Sequence, residues 1–248
     1  MLFPSTILAQ NGEYEKKEFI RGTDTLKYRM LLPKNFKAKK KYPIVLFLHG
    51  SGERGNDNEK QLVHGGKLFS DPSNMDKFPA IVIFPQCPAG SSWARMKQGT
   101  ASRPGIREFA TDEPMTKPLL MVSQLMDSLL STRSVDKKRV YIGGLSMGGF
   151  GTFDMLARKP HIYTAAFPIC GGGDSTSAGR YGNNFPIWVF HGSADAVVTP
   201  ENSRRMVAAL TAVGAKVKYS EYPQVGHDSW NNTFAEPELL PWLFNKKK

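Results

Sequence analysis

At 248 residues and 40% hydrophobic content, the chain has room for one α/β domain with a sizeable core, and no run approaches the roughly 18 apolar residues of a membrane helix. The formal charge of +11 would suggest nucleic acid if it formed a stripe through the motifs. Instead residues 16–41 hold ten Lys/Arg against two acids, Lys246, Lys247 and Lys248 add three more, and these two segments account for the whole excess, so a nucleic-acid partner is not expected.

In chain order, "MLFPSTILAQ" is apolar with a small residue, Ala9, but lacks a basic leader. Residues 1–12 are read as the remnant of an export signal or a disordered N-terminus, which favours a secreted or periplasmic protein over the cytoplasmic alternative; residues 13–248 are read as a single catalytic domain. Strands are predicted over Tyr14 to Ile20 and Leu26 to Leu32, joined by the short "RGTDT" turn as an antiparallel hairpin at one edge. The basic residues here read as a solvated edge, with attraction to an anionic polymer or membrane surface as the sharper alternative.

Further strands are predicted over Ile44 to Leu48, Ala80 to Phe84, Arg139 to Ile142, Thr164 to Ile169, Ile187 to Phe190 and Val217 to Glu221. Several are continuous apolar runs, as in "IVLFLHG", "AIVIFPQ" and "PIWVFHG", which suits strands buried on both faces of a mostly parallel sheet. Between them Leu119, Val122, Met126 and Leu129 share a helical face, as do Phe150, Phe153 and Leu156 before Pro160, and Met206, Val207 and Leu210 after Pro200. The alternation predicts a central sheet of about eight strands flanked by helices, with ligands beyond the carboxyl ends of the strands. Cys87 and Cys170 follow apolar runs and lack metal-ligand spacing; two partly buried free thiols are expected, a single bridge being the alternative.

Chemistry concentrates in "YIGGLSMGGFGTF". Gly144-Leu145-Ser146-Met147-Gly148 matches G-x-S-x-G between a strand and a helix, where a sharp turn exposes the serine and flanking glycines relieve crowding. A lone serine is a poor nucleophile and needs a base and an orienting acid. Asp195, in the loop after one strand, and His227, in the loop after the next, follow Ser146 in the order Ser, Asp, His. His227 would take and return the serine proton while Asp195 fixes the imidazole. Asp195 as a helix cap remains open, with Asp174 and Asp228 as the other acids near strand ends; His49 and His191, each before glycine at a strand end, read as structural. His64 is placed at an entrance or is incidental.

An oxyanion needs two N–H donors: Met147 at the helix start, and Ser51 in "LHGSGERGNDN", with Gly52 as the second choice there. Trp93 and Trp230 either stack on a substrate ring or pack the loops that carry them. The roughly 25 residues from Ile169 to Asp195 leave no room for a large lid, so short or flat acyl groups are expected. No cofactor and no metal is expected, and the phosphate-binding fingerprints are absent from the glycine-rich loops.

"LHGSGERGNDN", "FPQCPAGSSWA", "GGLSMGGFGTF", "FPICGGGD", "HGSADAVV" and "GHDSW" together resemble the α/β-hydrolase fold, and most of all bacterial carboxylesterases akin to polyhydroxybutyrate depolymerases and to feruloyl and acetyl xylan esterases. The similarity runs from about Tyr14 to Phe244. It implies the triad Ser146, Asp195 and His227, the oxyanion donors Met147 and Ser51, and a small-molecule or polysaccharide-linked ester as substrate. A serine peptidase of the same fold and an inactive hydrolase-fold binding protein are the alternatives.

Overall fold

The computed structural model describes residues 12–97 and 105–248. Residues 1–11, most of the segment read as an export-signal remnant, lie outside the described residues. Eight strands form one sheet: β1 (Glu15–Arg21), β2 (Asp24–Leu31), β3 (Tyr42–Leu48), β4 (Ile81–Pro85), β5 (Val135–Leu145), β6 (Ala165–Ile169), β7 (Pro186–Gly192) and β8 (Lys216–Tyr222). Their spatial order is β1-β2-β4-β3-β5-β6-β7-β8. β1 and β2 make the expected edge hairpin, turning through Gly22 at φ 58°, and β2 joins β4 antiparallel. Every pairing from β4 to β8 is parallel, so the carboxyl ends of six strands share one rim.

The helices are α1 (Gly66–Ser70), α2 (Pro72–Lys77), α3 (Lys117–Leu130), α4 (Met147–Arg158), α5 (Glu201–Ala212), α6 (Trp230–Ala235) and α7 (Leu239–Phe244). Strand alternation sorts the core into two layers. Ile44, Leu46 and Leu48 of β3 face a layer built with α3, α4 and α5, while Val45 and Phe47 face a second layer with α1, α2 and α7. Ile81 and Ile83 against Val82 and Phe84, and Ile187 and Val189 against Trp188 and Phe190, repeat the division. A strand apolar on both faces is therefore covered twice, which is why these runs show no alternation in sequence.

The predicted helical faces are buried: Leu119, Val122, Met126 and Leu129 on α3, and Phe150, Phe153 and Leu156 on α4. Thr116 caps α3 by accepting from the Leu119 N–H, and Asp71 caps α2 through the Ser73 and Asn74 N–H groups. β5 extends well beyond the predicted Arg139 to Ile142: it begins at the buried Val135, and the exposed Lys137 and Lys138 that follow carry no apolar signal. Both cysteines are free and fully buried.

The two basic segments meet at the rim opposite the strands' carboxyl ends. Lys39 and Lys41 share a cleft of about 700 Å³ with Arg133, Lys137 and Lys138, and the Lys248 N–H donates to the Lys138 carbonyl. Others are paired: Lys16 with Glu59 at 2.5 Å and Lys34 with Asp76 at 2.7 Å. Among the described residues no helix is long and apolar enough to cross a membrane.

Candidate active site

β5 ends at Leu145, α4 begins at Met147, and Ser146 alone makes the corner, at φ 53° and ψ −116°. A non-glycine residue at such a positive φ costs on the order of 1–3 kcal/mol and persists only where the surroundings enforce it. Enforcement is visible in the backbone. The Ser146 N–H donates to the Ile169 carbonyl of β6 at 2.9 Å, and the Ser146 carbonyl accepts from the Phe150 N–H at 3.0 Å, opening the helix.

The glycines serve close approach. A Cβ on Gly148 would stand 1.9 Å from the Leu48 carbonyl oxygen, and one on Gly144 would stand 2.4 Å from the Gly148 oxygen. β3, β5 and α4 thus touch backbone to backbone at the elbow. Ahead of Phe150, the first N–H groups of α4, including that of Met147, have no intrahelical acceptor and point at the corner.

The rim then brings the three residues together. His227, in the loop after β8, places Nε2 2.9 Å from Ser146 Oγ and Nδ1 2.7 Å from Asp195 Oδ2. Asp195, after β7, accepts at Oδ1 from the Val197 and Val198 N–H groups, both at 2.9 Å. It does not cap α5, whose N-terminus at Pro200 has no side-chain cap. Burial by itself would raise the Asp195 carboxyl, but hydrogen bonds from His191, His227 and the Val198 N–H outweigh it and hold the group well below the ordinary carboxylate range. Asp174 instead caps the short turn Ser175–Arg180 and accepts from Thr111, and Asp228 accepts from Asn231, so neither reaches the imidazole.

Ser51 opens a single 3₁₀ turn, Ser51–Glu53, directly after β3 and beside the elbow. Its carbonyl is held by Arg54 Nε at 2.9 Å. Beneath it His49 is locked: Nε2 accepts from the Cys87 N–H at 2.9 Å, so Nδ1 carries the proton and donates to the Gly50 carbonyl at 2.6 Å. Burial lowers the His49 pKa to about 4. Gly52 is exposed with open space around it.

Trp93 corrects one of the expectations for it. Rather than offering a face to substrate it is fully buried, donating Nε1–H to the His49 carbonyl at 3.0 Å and packing its Cβ on Gly151 of α4. Loop packing is its role, and a sequence cannot separate that from stacking because both place an aromatic in a loop after a strand. Trp230 remains at the site, edge-on to His227 with centroids 5.4 Å apart and 5.0 Å from the His64 ring. His64 is partly exposed there, with Nε2 3.7 Å from Glu53 Oε1.

One contact was not foreseen: the buried His191, read as structural, has Nε2 3.2 Å from Asp195 Oδ2. The signal was the four-residue spacing within "HGSAD", where a tight turn folds the acid back over the strand end. Among the described residues one trio of ligand-type atoms, from Cys170, Asp195 and His227, lies within 4.8 Å. It does not make a metal centre: Asp195 and His227 are bonded to each other, and burial pushes the Cys170 thiol well up, opposing a thiolate.

The chain is similar to known proteins over most of its length. Residues 35–237 match the family described as phospholipase/carboxylesterase. Poly(3-hydroxyalkanoate) depolymerase C of Paucimonas lemoignei is 27% identical over 198 residues, covering 68% of this chain and 44% of that protein. A bifunctional acetylxylan esterase/xylanase of Neocallimastix patriciarum is 28% identical over 157 residues, 63% of this chain and 20% of that one. The chain thus spans less than half the length of either relative. A thermostable esterase of known crystal structure superposes with a TM-score of 0.83 at 37% identity, covering 96% of this chain and 64% of that one.

Proposed function

Because the chain belongs to the phospholipase/carboxylesterase family, we propose that it is a serine carboxylic ester hydrolase working through an acyl-enzyme at Ser146. The observation that carries this reading is the unbroken line Ser146 Oγ to His227 Nε2 to Asp195 Oδ2, at 2.9 and 2.7 Å, on a serine held at positive φ. His227 takes the Ser146 proton as Oγ attacks the acyl carbon, and Asp195 holds the Nδ1–H tautomer and stabilises the imidazolium. The N–H groups of Met147 and Ser51 receive the charge that grows on the carbonyl oxygen. The tetrahedral species collapses as His227 returns the proton to the leaving alcohol. Water then attacks the acyl-serine by the same route in reverse, releasing the acid.

We assign short-chain or aromatic acyl esters as the substrate class, including esters carried on plant polysaccharide. What supports this is an open mouth. Ser51 and Gly52 are exposed, His227 and Trp230 are half-buried, and the described chain between β6 and β7 holds only the short turn Ser175–Arg180. Two relatives, one named poly(3-hydroxyalkanoate) depolymerase and one named acetylxylan esterase/xylanase, point the same way. The test is Ser146→Ala assayed on a short-chain nitrophenyl ester. A fall in kcat of about 10³-fold or more with an unchanged melting temperature is expected, and near-full activity in the folded variant overturns the assignment. A panel of acyl lengths with feruloyl and acetylated-sugar esters then ranks the substrates.

A further inference from the structure

We propose that His191 is a second imidazole acting on the site, a positioning residue that shares Asp195 with His227 and so limits how strongly the carboxylate raises the basicity of His227. Its catalytic consequence rests on the esterase reading above; its effect on His227 does not.

Proton accounting supplies the first step. His191 Nε2 lies 2.8 Å from the Val198 carbonyl and 3.2 Å from Asp195 Oδ2. Both partners accept only, so Nε2 carries a hydrogen whatever the state of the rest of the ring. On the opposite edge Nδ1 is 2.7 Å from Ser203 Oγ of α5, and that oxygen is 3.0 Å from the Gly171 carbonyl. His191 and Ser203 are both fully buried. The ring is held at both edges and cannot turn away from the acid.

Asp195 consequently faces four N–H groups: two backbone amides donate to Oδ1, the His227 Nδ1–H donates to Oδ2, and the His191 Nε2–H, which donates to the Val198 carbonyl, stands 3.2 Å from Oδ2. A carboxylate already engaged by three other donors is a weaker acceptor toward the fourth. His227 therefore gains less stabilisation of its charged form than an unshared aspartate would give, and remains a free base to lower pH. A purely structural histidine needs only Val198 and Ser203; the contact with Oδ2 distinguishes the two roles. The brace also closes on the nucleophile's helix, since Gly171 packs against Gly149 so tightly that a Cβ on either would stand 2.9 Å from the other's backbone.

Other titratable groups face this cluster. Glu221 of β8 sits opposite His191 in register and is paired with Arg204 of α5 at 2.5 Å. Cys170, after β6, has its thiol close to Asp195 and His227, and Asp228 adjoins His227. Glu221 is held ionised by Arg204 and burial pushes the Cys170 thiol up, so neither changes charge near neutral pH.

The experiment follows the His227 ring by ¹⁵N NMR across pH in histidine-labelled protein, in wild type, His191→Leu and His191→Gln, alongside the pH dependence of kcat/KM. Leu removes the donor and Gln returns one. In His191→Leu the His227 midpoint is expected to rise by about half a unit or more, carrying the acid limb of the rate profile with it, while kcat falls about tenfold at unchanged KM. His191→Gln is expected to restore most of both. A folded His191→Leu protein whose His227 titrates as in wild type overturns the proposal, as does an equal shift in Leu and Gln. If His191→Leu does not fold, Ser203→Ala decides: loosening the far edge raises the midpoint in the same direction by less, and no shift counts against the proposal. The NMR midpoint needs no turnover, so a Ser146→Ala result that sinks the esterase reading leaves this outcome separately legible.

Discussion

Gly148→Ala replaces one hydrogen by a methyl group at the tightest backbone approach described for the elbow. The new Cβ would stand 1.9 Å from the Leu48 oxygen, 2.5 Å from the Leu48 carbonyl carbon and 2.8 Å from the His49 oxygen. All three are main-chain atoms at the end of β3, so no side chain can swing aside. A tolerable carbon–oxygen contact is roughly 3.3 Å, which requires α4 and β3 to part by roughly 1.4 Å. β3 leads into Ser51 and α4 begins at Met147, so the parting falls directly between the two proposed oxyanion donors. Misplacement by about 1 Å costs on the order of 10²-fold in rate, and overpacking about 1–3 kcal/mol of stability. For a chain of this size that lowers the melting temperature by roughly 2–12 °C. The assay is kcat on a nitrophenyl ester with a thermal melt, using Gly179→Ala as control because nothing lies within 4 Å of the Cβ built there. Gly148→Ala with wild-type kcat and melting temperature would falsify the close-approach argument.

Two further outcomes are expected. His49 is buried and neutral, with its pKa lowered to about 4 from 6.5. The unfolded chain binds a proton there that the folded one refuses, so stability falls as pH drops from about 6.5 toward 4, by about 2 kcal/mol at pH 5 from this group alone. Urea titrations at pH 7 and pH 5 measure the difference, and an unchanged pH slope in His49→Gln contradicts it. The thiols of Cys87 and Cys170 are fully buried, and burial pushes the Cys87 thiol up to about 12. Ellman's reagent should therefore label neither in the native protein and both in denaturant; rapid native labelling shows that the layers around them open.

The central strands were legible as apolar runs between turn residues, β2 and β8 as alternations such as Leu26, Tyr28 and Met30 or Val217 and Tyr219, and Ser146, Asp195 and His227 from their order. Strand order was not: β4 lies between β2 and β3, a placement decided by crossover packing rather than by any residue in "AIVIFPQ". The opening residues of β5 were hidden because the exposed Lys137 and Lys138 separate the buried Val135 from the apolar run that starts at Val140. α6 and α7, at six residues each, are too short to show a period, yet Trp230 at the start of α6 flanks His227. The role of Trp93 stays open in the sequence, and the approach of His191 to Asp195 unseen, for one reason. Their partners, His49 and Asp195, are reached through turns whose direction depends on backbone geometry that residue types leave open.

The site draws Ser51 from the end of β3, Ser146 from β5, Asp195 from β7 and His227 from β8. Its order in the chain is also an order in time. A growing or refolding chain that has assembled β3, β5, β6 and α4 already holds a complete, strained serine corner, but the base arrives only when β8 has docked on β7. Until then the hydroxyl is unarmed and harmless to esters around it. Recovery of activity after dilution from denaturant therefore reports the last parallel pairing at the far edge of the sheet, a non-local event and a slow one, rather than the collapse that forms the elbow.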